Sequence, residues 1–547
     1  MSHQDVRIIG RGTWLDRVAS EVVERDKSLG RSLSLIRVES GLGASGLPHI
    51  GSVGDAIRSY GVKMALESLG YRSELIAFSD DLDGFRKVPA GFPDWLNDYI
   101  AQPVTRVPDP FGCHNSFGEH VGSLLRDSLD RLSIEYKFMS GAAAYKNGLL
   151  NEQIKLILNS AQLVGDKIKE FTGQDKYQKV FPYTPICQNC GKLYTTVVTS
   201  YDAAKGTVHY TCDRAEIRDK VVQGCGFEGE RSVTDGEGKL VWKCEFAARW
   251  AALDIRFEAY GKDIAESVTV NDWVCENVLK RPPPHHARYE LFQDKAGRKI
   301  AKSVGNVLTP QDWLRYASPS SLRLLMFKRM VGARNLSVED IPTYMDEFDE
   351  LEEYYFSKTR DPNEMKDAKQ RGLYEYTVLT KVPDHPGVHI PYKQIAGLAK
   401  MAPEGNVEEF VTKRLIVNGA VQSASPELAT RIAWAAAWAK DVNYDVVSPA
   451  DSGEGAQAAT VTELDPVTAA ALREFAQALE GCKTADDVQG AAFEAIRRSG
   501  AEPSRFFSAV YHILLGSERG PRLGPYTMDA GPKNIAQKIL DATEPKV

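Results

Sequence analysis

The sequence predicts an α/β protein with a doubly wound, Rossmann-like parallel sheet, a zinc-bearing insertion and a C-terminal all-α domain. Three observations lead to this class. Two short apolar runs flank a glycine-rich turn and a helical segment, a cysteine-bearing stretch interrupts the pattern, and helical patterning fills the chain beyond about residue 344. The 547 residues are too many for one core, so domains of about 150 residues each are expected.

The first apolar run, residues 33–38, has the length of a buried strand and leads into the glycine-rich turn 40–46. Apolar residues at helical spacing follow from about Ser52. A second strand at 75–78 ends in the acidic segment 79–83. Ligands of doubly wound sheets bind at the carboxyl ends of the strands, so the turn and the acids mark the expected site.

Strand-like sequence resumes at residues 255–260, after a middle region with helical and β-rich parts. In the C-terminal part, Thr484 and Asp487 form a capping-box pattern, Phe493 is expected on the apolar face of that helix, and Gly500 ends it. The predicted domains are 1–102, the first half of the sheet domain with an N-terminal extension; 103–244, the insertion; 245–343, the second half with a basic loop; and 344–547, the helical domain.

The composition indicates a globular protein of a reducing compartment. The start of the chain has no basic-then-apolar leader, and its apolar runs fall short of the roughly 20 residues of a membrane span. Eight cysteines, two of them in a CxxC pair, are too few for a disulfide framework. We therefore expect a cytoplasmic protein with no membrane or DNA partner. The net charge of −7 says little about nucleic acid, because local patches decide such binding.

The glycine-rich turn leads into Pro48-His49-Ile50-Gly51 at the start of the first predicted helix. A helix N-terminus directs backbone N–H groups and a positive dipole at an anion. The His49 ring could donate a hydrogen bond to a phosphate, and Gly51 lets an adenine approach the backbone. Taken alone, the motif is equally compatible with a structural histidine.

A second motif, Lys299-Ile300-Ala301-Lys302-Ser303, lies about 250 residues further on, in a basic segment that continues to Gly305. Two lysines three residues apart can place ammonium groups on the phosphates of a bent triphosphate. A solvated charge run is the ordinary interpretation of such a pentapeptide. Its occurrence together with the first motif, each in a strand–helix context, favours a nucleotide site.

With these two motifs the sequence resembles a class I aminoacyl-tRNA synthetase, in which the first matches the HIGH signature and the second the KMSKS loop. Within that class it is most similar to the class I lysyl-tRNA synthetases. The resemblance includes Glu39-Ser40-Gly41, Ser79-Asp80-Asp81-Leu82-Asp83-Gly84, Arg86-Lys87-Val88-Pro89, Gly118-Glu119-His120, Arg249-Trp250-Ala251, Tyr260-Gly261-Lys262-Asp263 and Tyr289-Glu290-Leu291-Phe292.

The resemblance implies that lysine is activated with ATP, assisted by Mg²⁺, and passed to a tRNA whose anticodon the helical domain would read. No protein nucleophile is needed, so positioning and charge stabilisation would carry the catalysis. The implied catalytic residues are His49, Ser52, Lys299, Lys302 and Ser303. The implied ATP-binding residues are Ser45, Gly46, Pro48, His49, Gly51, Gly261, Asp263 and Lys302.

A lysine ammonium needs a carboxylate, and three aspartates follow the second strand. The expected amino-acid-binding residues are Gly41, Gly43, Asp80, Asp81, Asp83, Trp250 and Tyr260, with the aromatic rings covering the aliphatic stem. An equal alternative is that the acids cap the next segment or pair with Arg86 and Lys87. Lysine specificity therefore rests on the family resemblance.

Three positions depart from the family pattern. Ser52 stands for the second histidine of HIGH, Ala301 for the central hydroxyl residue of the KMSKS loop, and Ile264 where archaeal relatives tend to have histidine. Each change removes a possible hydrogen-bond donor but leaves His49 and both lysines in place. We expect altered tuning of the site with activity retained.

Four cysteines, Cys187, Cys190, Cys212 and Cys225, suit a tetrahedral structural zinc. The second pair encloses twelve residues where two are usual, which a loop insertion would explain. A knuckle without metal, or one that uses Cys244, is the alternative. Cys113, Cys275 and Cys482 are expected to be ordinary thiols.

Three other functions compete with this interpretation. A non-catalytic tRNA-binding paralogue predicts loss of His49, Lys299 or Lys302, and all three are present. An acid–amine ligase of the same superfold leaves about 200 helical residues without a role. A class I synthetase for another amino acid also stays open.

Overall fold

The computed structural model describes residues 8–44, 46–218, 220–290, 292–293, 308–330, 332, 334–400, 402–403, 405–442, 464–515, 520 and 522–543. The chain forms two compact units. Unit 1 comprises Met1–Trp313, Pro319–Ser337 and Leu351–Asp384, and unit 2 comprises Leu314–Ser318, Val338–Glu350 and His385–Val547. The domain boundaries expected at residues 102, 244 and 343 stay predictions.

All strands among the described residues lie in unit 1. They are β1 (Ile36–Leu42), β2 (Ser73–Ser79), β3 (Lys137–Ser140), β4 (Tyr183–Pro185), β5 (Thr196–Asp202), β6 (Thr207–Cys212), β7 (Ala215–Ile217), β8 (Lys220–Val222), β9 (Glu228–Ser232), β10 (Gly238–Leu240), β11 (Ile255–Gly261), β12 (His285–Tyr289), β13 (Phe292–Gln293) and β14 (Arg334–Asn335).

Helices occur in both units. They are α1 (Trp14–Ser28), α2 (Ile50–Ser68), α3 (Phe117–Arg131), α4 (Gly141–Lys146), α5 (Asn151–Asn159), α6 (Ala161–Thr172), α7 (Trp242–Leu253), α8 (Ala265–Asn277), α9 (Pro310–Tyr316), α10 (Pro319–Phe327), α11 (Ile341–Phe356), α12 (Glu364–Thr377), α13 (Tyr392–Lys400), α14 (Val407–Val417), α15 (Pro426–Asp441), α16 (Pro466–Ala478), α17 (Ala485–Ser499), α18 (Pro503–Leu515), α19 (Leu523–Ala530) and α20 (Pro532–Thr543).

The largest sheet has five parallel strands in the order β12-β11-β1-β2-β3. The chain moves outward from β1 to β3 on one side and later places β11 and β12 on the other. The strand order therefore reverses at β1, the kind of switch point where open parallel sheets bind ligands. The predicted parallel α/β sheet is confirmed.

Helix α2 follows β1 directly and packs its apolar residues, among them Val53, Ile57 and Tyr60, into the interior. It ends at Ser68 with Leu69 as the C-cap, and Gly70 then adopts a φ of +91°, a left-handed conformation that stops a helix at little cost with glycine. The glycine turn and helix expected after the first strand are thus present. They place the N-terminus of α2 at the carboxyl edge of the sheet.

The stretch expected to be an insertion, residues 103–244, carries helices α3–α6 and a small β region, but it also contains β3, which belongs to the five-stranded parallel sheet. Strands β5, β6 and β9 form one antiparallel sheet, and β7 pairs with β8 as a separate hairpin between β6 and β9. Strands β4 and β10 form a further antiparallel pair. The order matches the expected sequence of helical and then β-rich segments.

The C-terminal part, from His385 onward, is helical wherever it is regular in the described residues, as expected. Helix α17 begins with the Thr484–Asp487 capping box and ends at Gly500 with φ +72°. The expectation for Phe493 was wrong, because its side chain is 46% exposed and covers Phe507 edge-on at 5.8 Å. No helix in the described part of the chain is long and apolar enough to cross a membrane.

Candidate active site

His49 caps the N-terminus of α2 in a reciprocal hydrogen-bond pair. The Ser52 N–H donates to His49 Nδ1 and the His49 N–H donates to Ser52 Oγ, both at 3.2 Å. Because Nδ1 accepts, a neutral ring carries its proton on Nε2, which is then the atom that can donate to a phosphate oxygen. The structural interpretation of His49 is therefore present, and its role toward a phosphate stays a prediction.

Gly51 has a local reason to be glycine. A Cβ at this position would lie 2.9 Å from two ring atoms of His49, closer than real contacts allow. The absent side chain leaves room for the capping imidazole. This reason for glycine is separate from the predicted approach of an adenine, which stays a prediction. Gly46 and Pro48 are buried in the same turn, next to the helix start.

The other proposed ATP residues lie at the end of β11. Gly261 is buried and pairs with Tyr289 of β12, and Asp263 is exposed in the 3-10 turn Lys262–Ile264 that follows. Both positions lie at the carboxyl edge of the sheet, beside the switch point at β1.

Asp80 binds a buried arginine. Arg249, on α7, is 1% exposed; its Nε lies 3.0 Å from Glu39 Oε1 and its Nη1 donates to Asp80 Oδ1 at 2.8 Å. The guanidinium also stacks on Phe78, 4.5 Å from the ring centroid. Asp80 thus has an internal cationic partner at the end of β2.

Asp81 and Asp83 also have internal partners. Asp81 accepts the Ala142 N–H at 2.7 Å and so caps α4. Asp83 pairs with Arg86 at 3.2 Å and with buried Lys239. Of the alternative that the sequence left open, the pairing of Asp83 with Arg86 is present, while the capping by Asp81 is of α4 and not of the segment that follows the acids.

Burial governs the protonation of this cluster. Burial raises the pKa of Glu39 to about 8 and that of Asp80 to about 7, although Arg249 acts in the opposite direction on both. Lys239 also contacts Glu245 Oε2 at 2.9 Å, and Tyr145 donates to Glu245 Oε1 at 2.9 Å. A buried acid–base network therefore underlies the carboxyl ends of β1 and β2.

The rings of Trp250 and Tyr260 both contact the ring of His286. The Trp250 ring centroid is 5.1 Å and that of Tyr260 is 5.5 Å from the His286 ring. Trp250 Nε1 donates to Glu258 Oε2 at 2.5 Å. Glu258 is half-buried, and no cation among the described residues lies within ion-pair distance of it.

Gly41 and Gly43 differ in surroundings. A Cβ at Gly41 would make ordinary contacts of 3.9 Å with Arg249 Nη2 and Asp80 Oδ2, whereas one at Gly43 would meet nothing within 4 Å. Gly43 therefore faces open space at the mouth of the site. The sequence arguments missed Glu258, Glu245 and Lys239; the spacing of Glu245 and Arg249, four apart on a helix, was an available signal.

Comparison with known proteins identifies the family. A model of the family described as tRNA synthetases class I (K) matches residues 12–379, well over half of the 547. The chain belongs to the class I (K) tRNA synthetases. The resemblance to class I lysyl-tRNA synthetases is thereby confirmed.

Curated relatives of this synthetase match it along nearly their whole length. Lysine–tRNA ligases are 47% identical in Cenarchaeum symbiosum (97% of this chain, 98% of the relative) and 31% identical in Halobacterium salinarum (94% of each). The lysine–tRNA ligase of Roseobacter denitrificans is also 31% identical (94% of this chain, 93% of the relative). The similarity therefore covers the helical C-terminal part as well.

The synthetase has a four-cysteine cluster in its insertion. Cys187 Sγ lies 3.6 Å from Cys225 Sγ, and Cys190 Sγ lies 3.6 Å from Cys212 Sγ. The edge of a zinc–thiolate tetrahedron with bonds of about 2.3 Å is about 3.8 Å, so the spacing suits the metal. The twelve intervening residues contain the β7–β8 hairpin, and the Cys225 N–H donates to Cys212 Sγ at 3.5 Å where its ends meet.

Cys244 is not part of the four-cysteine cluster, since its thiol is fully buried against the Val241 carbonyl at 3.5 Å.

Cys113, expected to be an ordinary thiol, instead faces three other potential ligands. Its Sγ lies 3.1 Å from His114 Nδ1, 3.2 Å from His120 Nδ1 and 3.3 Å from Asp109 Oδ2. The sequence arguments missed this cluster because the spacing resembles no common knuckle.

Five sequence-predicted positions, Ser45, Lys299, Ala301, Lys302 and Ser303, lie outside the described residues. Their roles stay predictions. The described residues bring together His49, Ser52, Gly261 and the acidic network at one edge of one sheet.

Proposed function

We propose that this synthetase is a lysine–tRNA ligase. It forms lysyl-adenylate from lysine and ATP, releases diphosphate, and transfers the lysyl group to the 3′-terminal adenosine of tRNA(Lys). The observation that carries the proposal is the 47% identity to a lysine–tRNA ligase over 97% of the chain. The class I family uses ATP and Mg²⁺. The helices from His385 onward are proposed to bind the anticodon, and the cytoplasm is the proposed compartment.

The first step needs no protein nucleophile. A lysine carboxylate oxygen attacks the α-phosphorus, the bond to the diphosphate breaks, and the electron pair leaves with the diphosphate. His49 is proposed to donate from Nε2 to a phosphate oxygen, and Lys299 and Lys302 to stabilise the charge on the phosphates. Mg²⁺ supplies further neutralisation of the triphosphate when bound.

Lys302→Ala tests the ATP site. The variant loses one preorganised donor to the transition state, so ATP–diphosphate exchange with lysine and tRNA is expected to fall by about 10²–10³-fold. Lys295→Ala, in the same basic segment, serves as the control for a simple change of charge. Near-normal exchange in Lys302→Ala would contradict the proposed role of Lys302 in stabilising the charge on the phosphates. Exchange driven by another of the twenty amino acids, and none by lysine, would overturn the substrate.

Glu258 is the proposed partner of the lysine side-chain ammonium. The three aspartates suggested by the sequence each have an internal partner, whereas Glu258 forms no ion pair among the described residues, although the charge of Arg249 acts on it from a longer distance. Tyr260 is half-buried beside the neighbouring His286 and can cover the aliphatic stem, whereas Trp250 is 2% exposed and holds Glu258 through its Nε1 hydrogen bond. A charged hydrogen bond at this edge would select an ammonium over an apolar side chain.

Glu258→Gln is expected to raise the KM for lysine by about 10- to 100-fold, since hydrogen bonds to charged groups contribute about 1.5–3 kcal/mol. The KM for ATP should stay within twofold of wild type, roughly the scatter of such measurements. Glu276→Gln, on exposed α8 surface, is the matched control. Equal increases in the KM values for lysine and ATP would show that Glu258 maintains the structure of the site and does not bind the lysine ammonium.

Two metal sites are proposed. The four-cysteine cluster suits a structural zinc, and Asp109, Cys113, His114 and His120 offer the mixed oxygen, sulfur and nitrogen ligands that zinc also accepts. Backbone N–H groups of Phe111, Cys113 and His114 hold the Asp109 carboxylate in place at 2.9–3.1 Å. Oriented ligands of this kind are typical of metal centres.

A further inference from the structure

Helix α2 carries a buried arginine whose charge forms no ion pair among the described residues. Arg58 is 1% exposed, and its Nε and Nη1 are buried without a hydrogen-bond acceptor in the described part of the chain. The charge of Asp55 acts on Arg58 from beyond ion-pair distance. Burial, however, raises the pKa of Asp55 to about 8, so this carboxyl group is mostly protonated at neutral pH. Because a desolvated cation without a partner is unfavourable, packing alone does not explain the arginine.

Two aromatic rings receive the Arg58 guanidinium. Its central carbon lies 4.1 Å from the centroid of the Tyr289 ring, at the end of β12, and 5.9 Å from that of Phe292, at the start of β13. Strand β13 pairs with β14, whose Arg334 lies 5.1 Å from the same Phe292 ring. Contacts between a cation and a ring are attractive, and more so when they are desolvated. Arg58 therefore links α2 to the ends of β12 and β13.

Gly54 leaves room for this guanidinium. A Cβ at Gly54 would lie 2.7 Å from Arg58 Nη1, closer than real contacts allow, and 3.3 Å from Met326 Sδ. Glycine within a helix is less favourable than alanine, so α2 accepts a weaker helix former at this position. Two unfavourable features, the glycine and the desolvated cation, thus serve one contact between α2 and the rings.

Helix α2 contacts the chain on both sides of the segment 294–307, which contains the two lysines of the second motif. Before this segment, the Phe292 ring lies beside Arg58. After it, the Leu308 carbonyl accepts the N–H of Ile50, the first residue of α2, at 3.0 Å. The N-cap of the same helix is the histidine proposed to bind a phosphate. One helix therefore sets where this segment begins and ends relative to that histidine.

We propose that Arg58 is a positioning residue for adenylation, which holds the start of the segment 294–307 in place through Tyr289 and Phe292. This inference rests on the proposed function, in which His49 and the two lysines act on the phosphates of ATP. Arg58 is buried and acts on the site only through the two rings. Its unfavourable burial is then a feature that serves activity at the expense of stability.

Arg58→Met removes the charge and keeps an unbranched side chain. The kcat of lysine-dependent ATP–diphosphate exchange is expected to fall by about tenfold, because the charges that act in the transition state lose their fixed position. The KM for lysine should stay within about twofold of wild type. The melting temperature should stay unchanged or rise, because an apolar side chain replaces a desolvated cation. Arg58→Lys keeps the charge and should retain more exchange activity than Arg58→Met.

Gly54→Ala tests the same contact with the arginine present. Its Cβ should displace the guanidinium from the rings and lower kcat, whereas in the Arg58→Met background it should have no further effect. Arg323→Met is the matched control. Arg323 is also buried in unit 1, but it donates to the carbonyls of Thr377 and Leu132 at 2.7 and 2.8 Å. This control should lower the melting temperature and leave kcat of the folded enzyme unchanged.

Exchange at the wild-type level in Arg58→Met would overturn the proposal. A fall in exchange together with a lower melting temperature would also overturn it, since that result indicates a structural role. The same holds for a loss in Gly54→Ala that persists in the Arg58→Met background. Absence of lysine-dependent exchange in the wild-type enzyme would instead mark failure of the proposed function, and the inference that rests on it would fall as well.

Discussion

Arg249→Met is expected to lower the free energy of unfolding of unit 1 by about 3–5 kcal/mol at pH 8, the usual result of removing one partner from a buried ion pair. Arg249 is 1% exposed and holds Glu39 and Asp80 together. Methionine fills a similar volume but leaves both carboxyl groups buried without a cation. We expect aminoacylation to fall as well, since these groups lie under the edge of the site.

The loss of stability in Arg249→Met should be larger at high pH than at low pH. The pKa of Glu39 is raised to about 8 and that of Asp80 to about 7 in the folded protein, above their usual values of 4.5 and 3.8. The folded state therefore binds more protons than the unfolded state between these values, and stability falls as pH rises through about 7–8. Without Arg249, which lowers both pKa values, the two pKa values rise further and this fall continues to higher pH. The variant should be least impaired near pH 6.

Calorimetric unfolding at pH 6 and pH 8.5 checks this result. Arg256→Met is the matched control, because Arg256 is also buried and pairs with Asp26 and Asp254, each at 2.6 Å. That variant should lose stability without recovering near pH 6. A loss for Arg249→Met that is equal at both pH values would show that the two carboxyl groups stay ionised in the folded state.

The same cluster shows what sequence could not predict. The β1 strand, the glycine turn and α2 follow from local periodicity within some 35 residues. The partners of Asp80 and Asp83, Arg249 and Lys239, lie more than 150 residues away in the chain and reach them only through the folded sheet. The sequence therefore predicted that the aspartates bind the lysine ammonium, whereas in the folded protein they pair with internal cations.

His49 illustrates the opposite case. The motif Pro48-His49-Ile50-Gly51 predicts a helix start, and α2 does begin there, because capping depends on neighbours within four residues. The cluster of possible metal ligands around Cys113 could not be predicted from spacing alone. Its residues are also near in sequence, but their convergence depends on the turn that Asp109 organises through three backbone N–H groups.

Removal of the proposed zinc ions should have the largest effect on stability. Structural zinc contributes about 10–16 kcal/mol in small zinc domains. The sheet of β5, β6 and β9 is small and holds the hairpin, so Cys212→Ser should unfold this region and make it sensitive to protease. Wild-type protein is expected to contain two zinc atoms per chain by elemental analysis.

Each cluster has its own diagnostic variant. Cys212→Ser and Cys113→Ser should each retain one zinc, because their ligand sets share no residue, and Cys482→Ser, outside both clusters, should retain two. A wild-type content of one, unchanged in Cys113→Ser, would confine the metal to the four cysteines. A content of zero would leave both clusters as thiol and imidazole contacts.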